Sequence, residues 1–93
     1  DLIKRLPDSD HAWRLEARTQ LESSELPKAR RAAAKALELG PEDPENHELL
    51  AQIALRAGDR KTAVATLTQA LALARDDDER ARISDLLRRI SGQ

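Results

Sequence analysis

Cysteine, methionine, tyrosine and phenylalanine are all missing from this 93-residue chain, and tryptophan occurs once. Without cysteine there is no disulfide staple for a domain near the lower size limit for an independent core, so stacked helices must supply its stability. The same absence suits the cytoplasm and a periplasm equally and leaves the compartment unknown. A single aromatic ring is no platform for stacking nucleic-acid bases. Sixteen basic and seventeen acidic residues nearly cancel, so no net field draws in nucleic acid or anionic lipid. Three glycines leave no room for a phosphate-cradling loop. No apolar run approaches the roughly 18–20 residues that span a bilayer, so direct membrane insertion is not expected. No charged-then-apolar leader opens the chain, and the lack of methionine behind an initial Asp1 points to a piece of a longer protein.

What is present is helical pattern. Charged residues make up 35% of the chain, but their signs are interleaved while Ala and Leu keep helical spacing, which describes a solvated helical surface rather than disorder. The stretch 44–75 is the clearest. Asp43 before Pro44 is a helix start, because the carboxylate accepts amide protons of the first turn and proline gives up an amide that had no partner. Leu50, Ala51, Ala54 and Leu55 then gather on one stripe. Gly58 stops that helix and Asp59 caps the next, whose Ala63, Leu67, Ala70, Leu71 and Ala74 form a second stripe. Two helices of about 14 residues enclose no core alone, so this hairpin needs neighbours above and below.

Sliding the chain against itself supplies them. At an offset of 34 residues Leu15 falls on Leu49, Ala17 on Ala51, Leu21 on Leu55, Ala29 on Ala63, Ala36 on Ala70, Leu37 on Leu71 and Leu39 on Leu73, all expected on inner faces. A 34-residue period of two helices resembles the tetratricopeptide repeat (TPR), whose signature is W-x2-L-G-x2-Y, then A-x3-F, a further alanine and a closing proline. The matching positions hold Trp13, Glu16, Ala17, Gln20, Ala29, Ala33, Ala36 and Pro41 in the first copy. They hold His47, Leu50, Ala51, Ala54, Ala63, Leu67, Ala70 and Arg75 in the second. The small residues and Leu match. Glu16, Gln20, the replaced aromatics and Arg75 depart from the pattern. The resemblance covers about residues 10–77 and implies an all-α fold, with antiparallel helical hairpins stacked as a right-handed solenoid fragment.

The expected divisions are 1–9, the end of a preceding repeat helix containing Leu2, Ile3 and Leu6, or a tail; 10–43 and 44–77, two TPR-like repeats; and 78–93, a capping helix. Ser9 or Asp10 caps the first full helix, whose Trp13, Ala17 and Leu21 form a buried stripe. Ser23, Ser24 and Glu25 make the turn where the second copy has Ala57, Gly58 and Asp59, and Pro27 opens the next helix. The acidic run 76–79 suits a helix N-terminus. Behind it Ile83, Leu86, Leu87 and Ile90 repeat the signature spacing, displaced by two residues, with Arg80, Arg82, Asp85, Arg88 and Arg89 on a polar outer face.

No catalytic constellation is expected. His11 lies beside Asp10 and Ser9, but sequence neighbours on a helix point apart and form no relay. His47 stands at the Trp position of the repeat as a packing residue, and it has no second ligand at metal spacing. No cofactor is expected. The resemblance implies instead a non-catalytic protein-protein interaction module, a scaffold within a larger bacterial assembly that holds a protein or peptide partner on its concave face. By position that face contains His11, Arg14, Arg18, Glu22, Glu45, Glu48, Gln52, Arg56, Ser84 and Arg88. Arg14 and Arg18, one turn apart, form a pair suited to gripping a carboxylate, or else Arg18 pairs with Glu22 on a solvated surface. The chaperone-tail clamp known in this family uses Lys and Asn where this chain has Arg14, Arg18 and Leu49, so that ligand does not fit. Two other roles stay open. The small faces at Ala12, Ala32, Ala33 and Ala34 allow homo-oligomerisation, and the repeats could be a spacer in an enzyme or a secretion, polysaccharide-export or cytochrome-maturation machine.

Overall fold

A computed structural model describes Ile3 and residues 8–92. Of the segment 1–9 expected to end a preceding helix, Ile3 is helical and residues 8 and 9 lead into the first full helix, and the rest lies outside the described residues. Among the described residues there are five α-helices and no strand: α1 (Asp10–Glu22), α2 (Leu26–Leu39), α3 (Pro44–Arg56), α4 (Arg60–Leu73) and α5 (Asp77–Ser91).

The helix boundaries repeat with the sequence. α3 begins and ends 34 residues after α1, and α4 begins and ends 34 residues after α2. Caps set the starts: the side chains of Ser9, Asp43, Asp59 and Asp76 accept first-turn amides of α1, α3, α4 and α5. Glu25, before α2, makes no such side-chain bond, and Pro27 instead pre-sets the backbone there. The turns inside the hairpins share one geometry. The amide of Ser24 donates to the Leu21 carbonyl (3.0 Å) and that of Glu25 to Gln20 (2.8 Å), while Gly58 donates to Leu55 (3.1 Å) and Asp59 to Ala54 (2.8 Å). Both turns need a left-handed residue, Ser24 at φ 60° and Gly58 at φ 79°.

Packing follows chain order, α1 on α2, α3 on α4, with α2 against α3, α4 against α5 and α1 against α3. Arg14 near the start of α1 reaches Asn46 near the start of α3, and Ser24 just past α1 meets Arg56 at the end of α3, so α1 and α3 run in the same direction. Two core clusters result. Ala17, Ala29, Ala32, Ala33, Leu49 and Ile53 form one; Ala51, Ala54, Ala63, Leu67, Ala70, Ile83 and Ile90 form the other. Many of these positions are alanine, which lets helices approach closely but buries little area each. The larger contributions come from side chains such as Ile53 and Ile83, fully buried and each stabilising by about 1.5–3 kcal/mol.

Four expectations are corrected. Leu15 and Leu55, expected inside, are 38% and 39% exposed. Leu49 packs back on the first hairpin, so its counterpart Leu15 faces away from the second; Leu55 sits about 100° round the helix from buried Ala54 and so emerges. Ile83 is not displaced by two residues: it joins Ala51, Ala63 and Leu67 as Leu49 joins Ala17, Ala29 and Ala33, 34 residues on. Of the alanines considered for self-association, Ala12, Ala32 and Ala33 are buried within the chain and Ala34 alone is exposed. Arg82, expected on the outer polar face, instead bonds Glu48 of α3.

Candidate functional site

Because equivalent helices lie side by side, α1, α3 and α5 together line a groove of about 400 Å³ bounded by Arg18, Glu45, Glu48, Leu49, Gln52 and Arg82. Leu49 is its buried apolar element. Glu48, 8% exposed, is held by Arg82, which donates from Nε to Oε1 at 3.2 Å and from Nη2 to Oε2 at 3.0 Å. This two-pronged bond joins α3 to α5 and holds the Arg82 guanidinium above its already high pKa. Arg82 thus belongs to the groove, not to the outer polar face expected for it. The repeat offset contains the signal, since 82 lies 34 residues after 48.

Glu79 extends the network. It accepts the backbone amide of Arg75 at 2.8 Å and lies 3.3 Å from the Arg75 Nη2, while its own amide donates to Asp76 at 2.8 Å. That reciprocal cap holds the Glu79 carboxyl below the usual carboxylate range, chiefly through the Arg75 amide and then its guanidinium, against the opposing effect of burial. Arg75 in turn is raised by its hydrogen bond to Glu79.

Beneath one end of the groove is a polar junction. Arg14 is 8% exposed and its Nη1 donates to Asn46 Oδ1 at 2.8 Å and to Asp43 Oδ2 at 3.2 Å. Asp10 and Glu45 each lie 3.5 Å from the same guanidinium. Its Nη2 meets His11 Nδ1 at 3.1 Å, and since arginine only donates, that His11 nitrogen is the acceptor. Asn46, 1% exposed, spends its Nδ2 on Asp10 (2.9 Å) and the carbonyls of Gly40 (2.9 Å) and Ala36 (3.2 Å). Gly40 is required there because a Cβ would fall on the Asp10 carboxylate and within 2.9 Å of Asn46 Nδ2. His47 is buried as a packing residue, its Nε2 donating to the Pro41 carbonyl at 2.8 Å.

Of the residues expected on the concave face, the groove brings together Arg18, Glu45, Glu48 and Gln52. His11, Glu22, Arg56 and Arg88 are exposed but do not line it, and Arg56 bonds Ser24 Oγ at 3.3 Å. Arg14 is withdrawn from solvent into the junction, so it makes no exposed pair with Arg18. Arg18 forms no ion pair with Glu22 among the described residues. Asn46 was not legible as a hub; its one signal is that 46 follows Ala12, itself buried, by 34 residues.

Among the described residues no group of three or more His, Cys, Asp or Glu side chains is placed to hold a metal ion, and no helix is long and apolar enough to cross a membrane. No protein-family model matches the chain, and a search of curated proteins finds no match.

Proposed function

We propose that this chain is a non-catalytic protein-protein interaction module of the tetratricopeptide kind, a right-handed solenoid fragment that holds a segment of a partner protein in the groove along α1, α3 and α5. The observation that supports it most directly is the groove itself: six side chains from three equivalent helices converge on one cleft. The 34-residue register of helix boundaries, turns and core clusters supports the repeat reading behind it. The groove wall is mainly polar, with Arg18, Glu45, Glu48, Gln52 and Arg82 around a floor closed by the buried Leu49, which suits a partner segment recognised by complementary charge.

The test is selection of a displayed library of random linear peptides on the chain, followed by calorimetric titration of the enriched peptides. Gln52→Trp, which fills the cleft, should weaken them at least about 10-fold, equivalent to about 1.4 kcal/mol. Gln69→Trp, on the exposed face of α4, should leave them unchanged. Peptides that bind both variants equally, or no enrichment at all, would overturn the proposal.

A further inference from the structure

The groove's charged groups differ in how far the protein itself has already used them, and this specifies the partner. Positions 34 apart stand side by side on α1, α3 and α5, so the cleft is read in levels along the helices. At the first level Glu45 has its side chain 42% exposed, with Oε2 at 3.5 Å from Arg14 Nε. Arg14 is shared with Asp10 and Asp43, and Arg75 is shared between Asp43 and Glu79, so the four carboxylates of Asp10, Asp43, Glu45 and Glu79 outnumber the two guanidinium groups and this end of the cleft stays negative. At the next level Glu48 and Arg82 are engaged with each other through two hydrogen bonds and present little net charge. At the third, Arg18 and its counterpart Gln52 are exposed and make no hydrogen bond or ion pair among the described residues. Glu45 and Gln52 are seven residues apart on α3, which at about 1.5 Å per residue is roughly 10 Å along the cleft.

Resting on the proposed function, we propose that the groove takes a partner segment bearing one basic and one acidic side chain about 10 Å apart, the base over Glu45 and the acid over Arg18 and Gln52. In a helical partner those residues are about seven apart, and in an extended one about three, from the rise of each form. Leu49 closes the floor between them and is 3% exposed, so the recognition is carried by the charged pair. Charge order also fixes direction, since a segment lying the other way sets like charges against each other at both ends.

The same displayed peptide library tests this. Enriched peptides should share the base–acid pair at that separation. Arg18→Glu should weaken them about 10-fold, and peptides with the acid changed to Lys should bind that variant as well as the originals bind the unaltered chain. Arg18→Gln, which removes the charge without reversing it, should give an intermediate loss, and Glu45→Gln should relax selection at the basic position alone. Circular dichroism of each variant separates lost binding from lost fold. Enriched peptides that are blocked by Gln52→Trp yet show no charge pair, or that ignore charge reversal at Arg18, overturn this inference while leaving the groove's function standing. No enrichment overturns both.

Discussion

Arg14→Met tests the polar junction between the hairpins. The substitution keeps a long apolar stem but removes the guanidinium that serves Asp43, Asn46, Asp10, Glu45 and His11. Deleting one partner of a fully buried charge pair costs about 3–5 kcal/mol. Here the cost is lower, because the side chains of Asp10, Asp43 and Glu45 retain 31%, 26% and 42% exposure and can rehydrate. Asn46 Oδ1 cannot, and a buried acceptor stripped of its donor costs about 1–3 kcal/mol. The expected loss is therefore about 2–3 kcal/mol, a drop in Tm of roughly 10–20 °C for a domain of this size. Urea and thermal denaturation followed by far-UV circular dichroism measure it. Arg18→Met, at an exposed site, should stay within about 0.5 kcal/mol. Pairing Arg14→Met with Asn46→Ala should show coupling of about 1 kcal/mol or more. If Arg14→Met behaves like Arg18→Met, the guanidinium is not a structural hub and the junction described here is wrong.

Other perturbations reach different parts of the fold. Gly40→Ala should cost about 2 kcal/mol by urea denaturation, because the new methyl meets the Asp10 carboxylate and Asn46 Nδ2, which hold each other in place. Ser24→Gly should raise stability by about 0.5–1 kcal/mol, since relief of the left-handed strain exceeds the added freedom of glycine in the unfolded chain; a loss in thermal melting would mean that the Arg56 bond to Ser24 outweighs the strain. Glu79 has a depressed pKa in the fold, so the unfolded chain takes up its proton first as pH falls. Its stabilisation is present above the ordinary glutamate value near 4.3 and disappears as pH drops through the folded value. Urea midpoints across about pH 6 to 3 should therefore fall less steeply in Glu79→Gln than in the unaltered chain, with the two curves converging at the acid end.

The fold was largely legible because its signals are local and periodic. Asp43, Asp59 and the acidic run at 76–79 mark helix starts by a mechanism that acts within one turn, and the structure has caps at those places. Self-comparison of the sequence put Ser24 opposite Gly58, and both residues adopt the left-handed conformation. Exposure was less legible, because it depends on what lies across the gap. Leu15 and Leu49 match in sequence, but among the described residues Leu49 alone has another hairpin on its side, so one is exposed and the other buried. Arg14 and Arg18 look alike as a pair one turn apart. They separate because Asp43 and Asn46, about 30 residues further on, supply polar partners to one and nothing to the other.

The single position occupied by Arg14, Glu48 and Arg82 shows what periodicity does and does not determine. The 34-residue offset sets all three on the same face of α1, α3 and α5. Arg14 turns toward the start of α3 and is sealed in by Asp43 and Asn46. Glu48 is buried too, but its counter-charge comes from the following helix, whose Arg82 remains largely in solvent. The repeat thus specifies where a side chain leaves its helix, and the polar partners within reach on the neighbouring helix decide whether it becomes structure or surface. In this chain Glu48 and Arg82 neutralise each other in the middle of the cleft, while Glu45, only partly satisfied by the shared Arg14, and the exposed Arg18 carry opposite charge on either side. On the proposed function a partner would be discriminated at the two ends of the groove, so Glu48→Gln should lower the urea midpoint while leaving the sequence of the selected peptides unchanged.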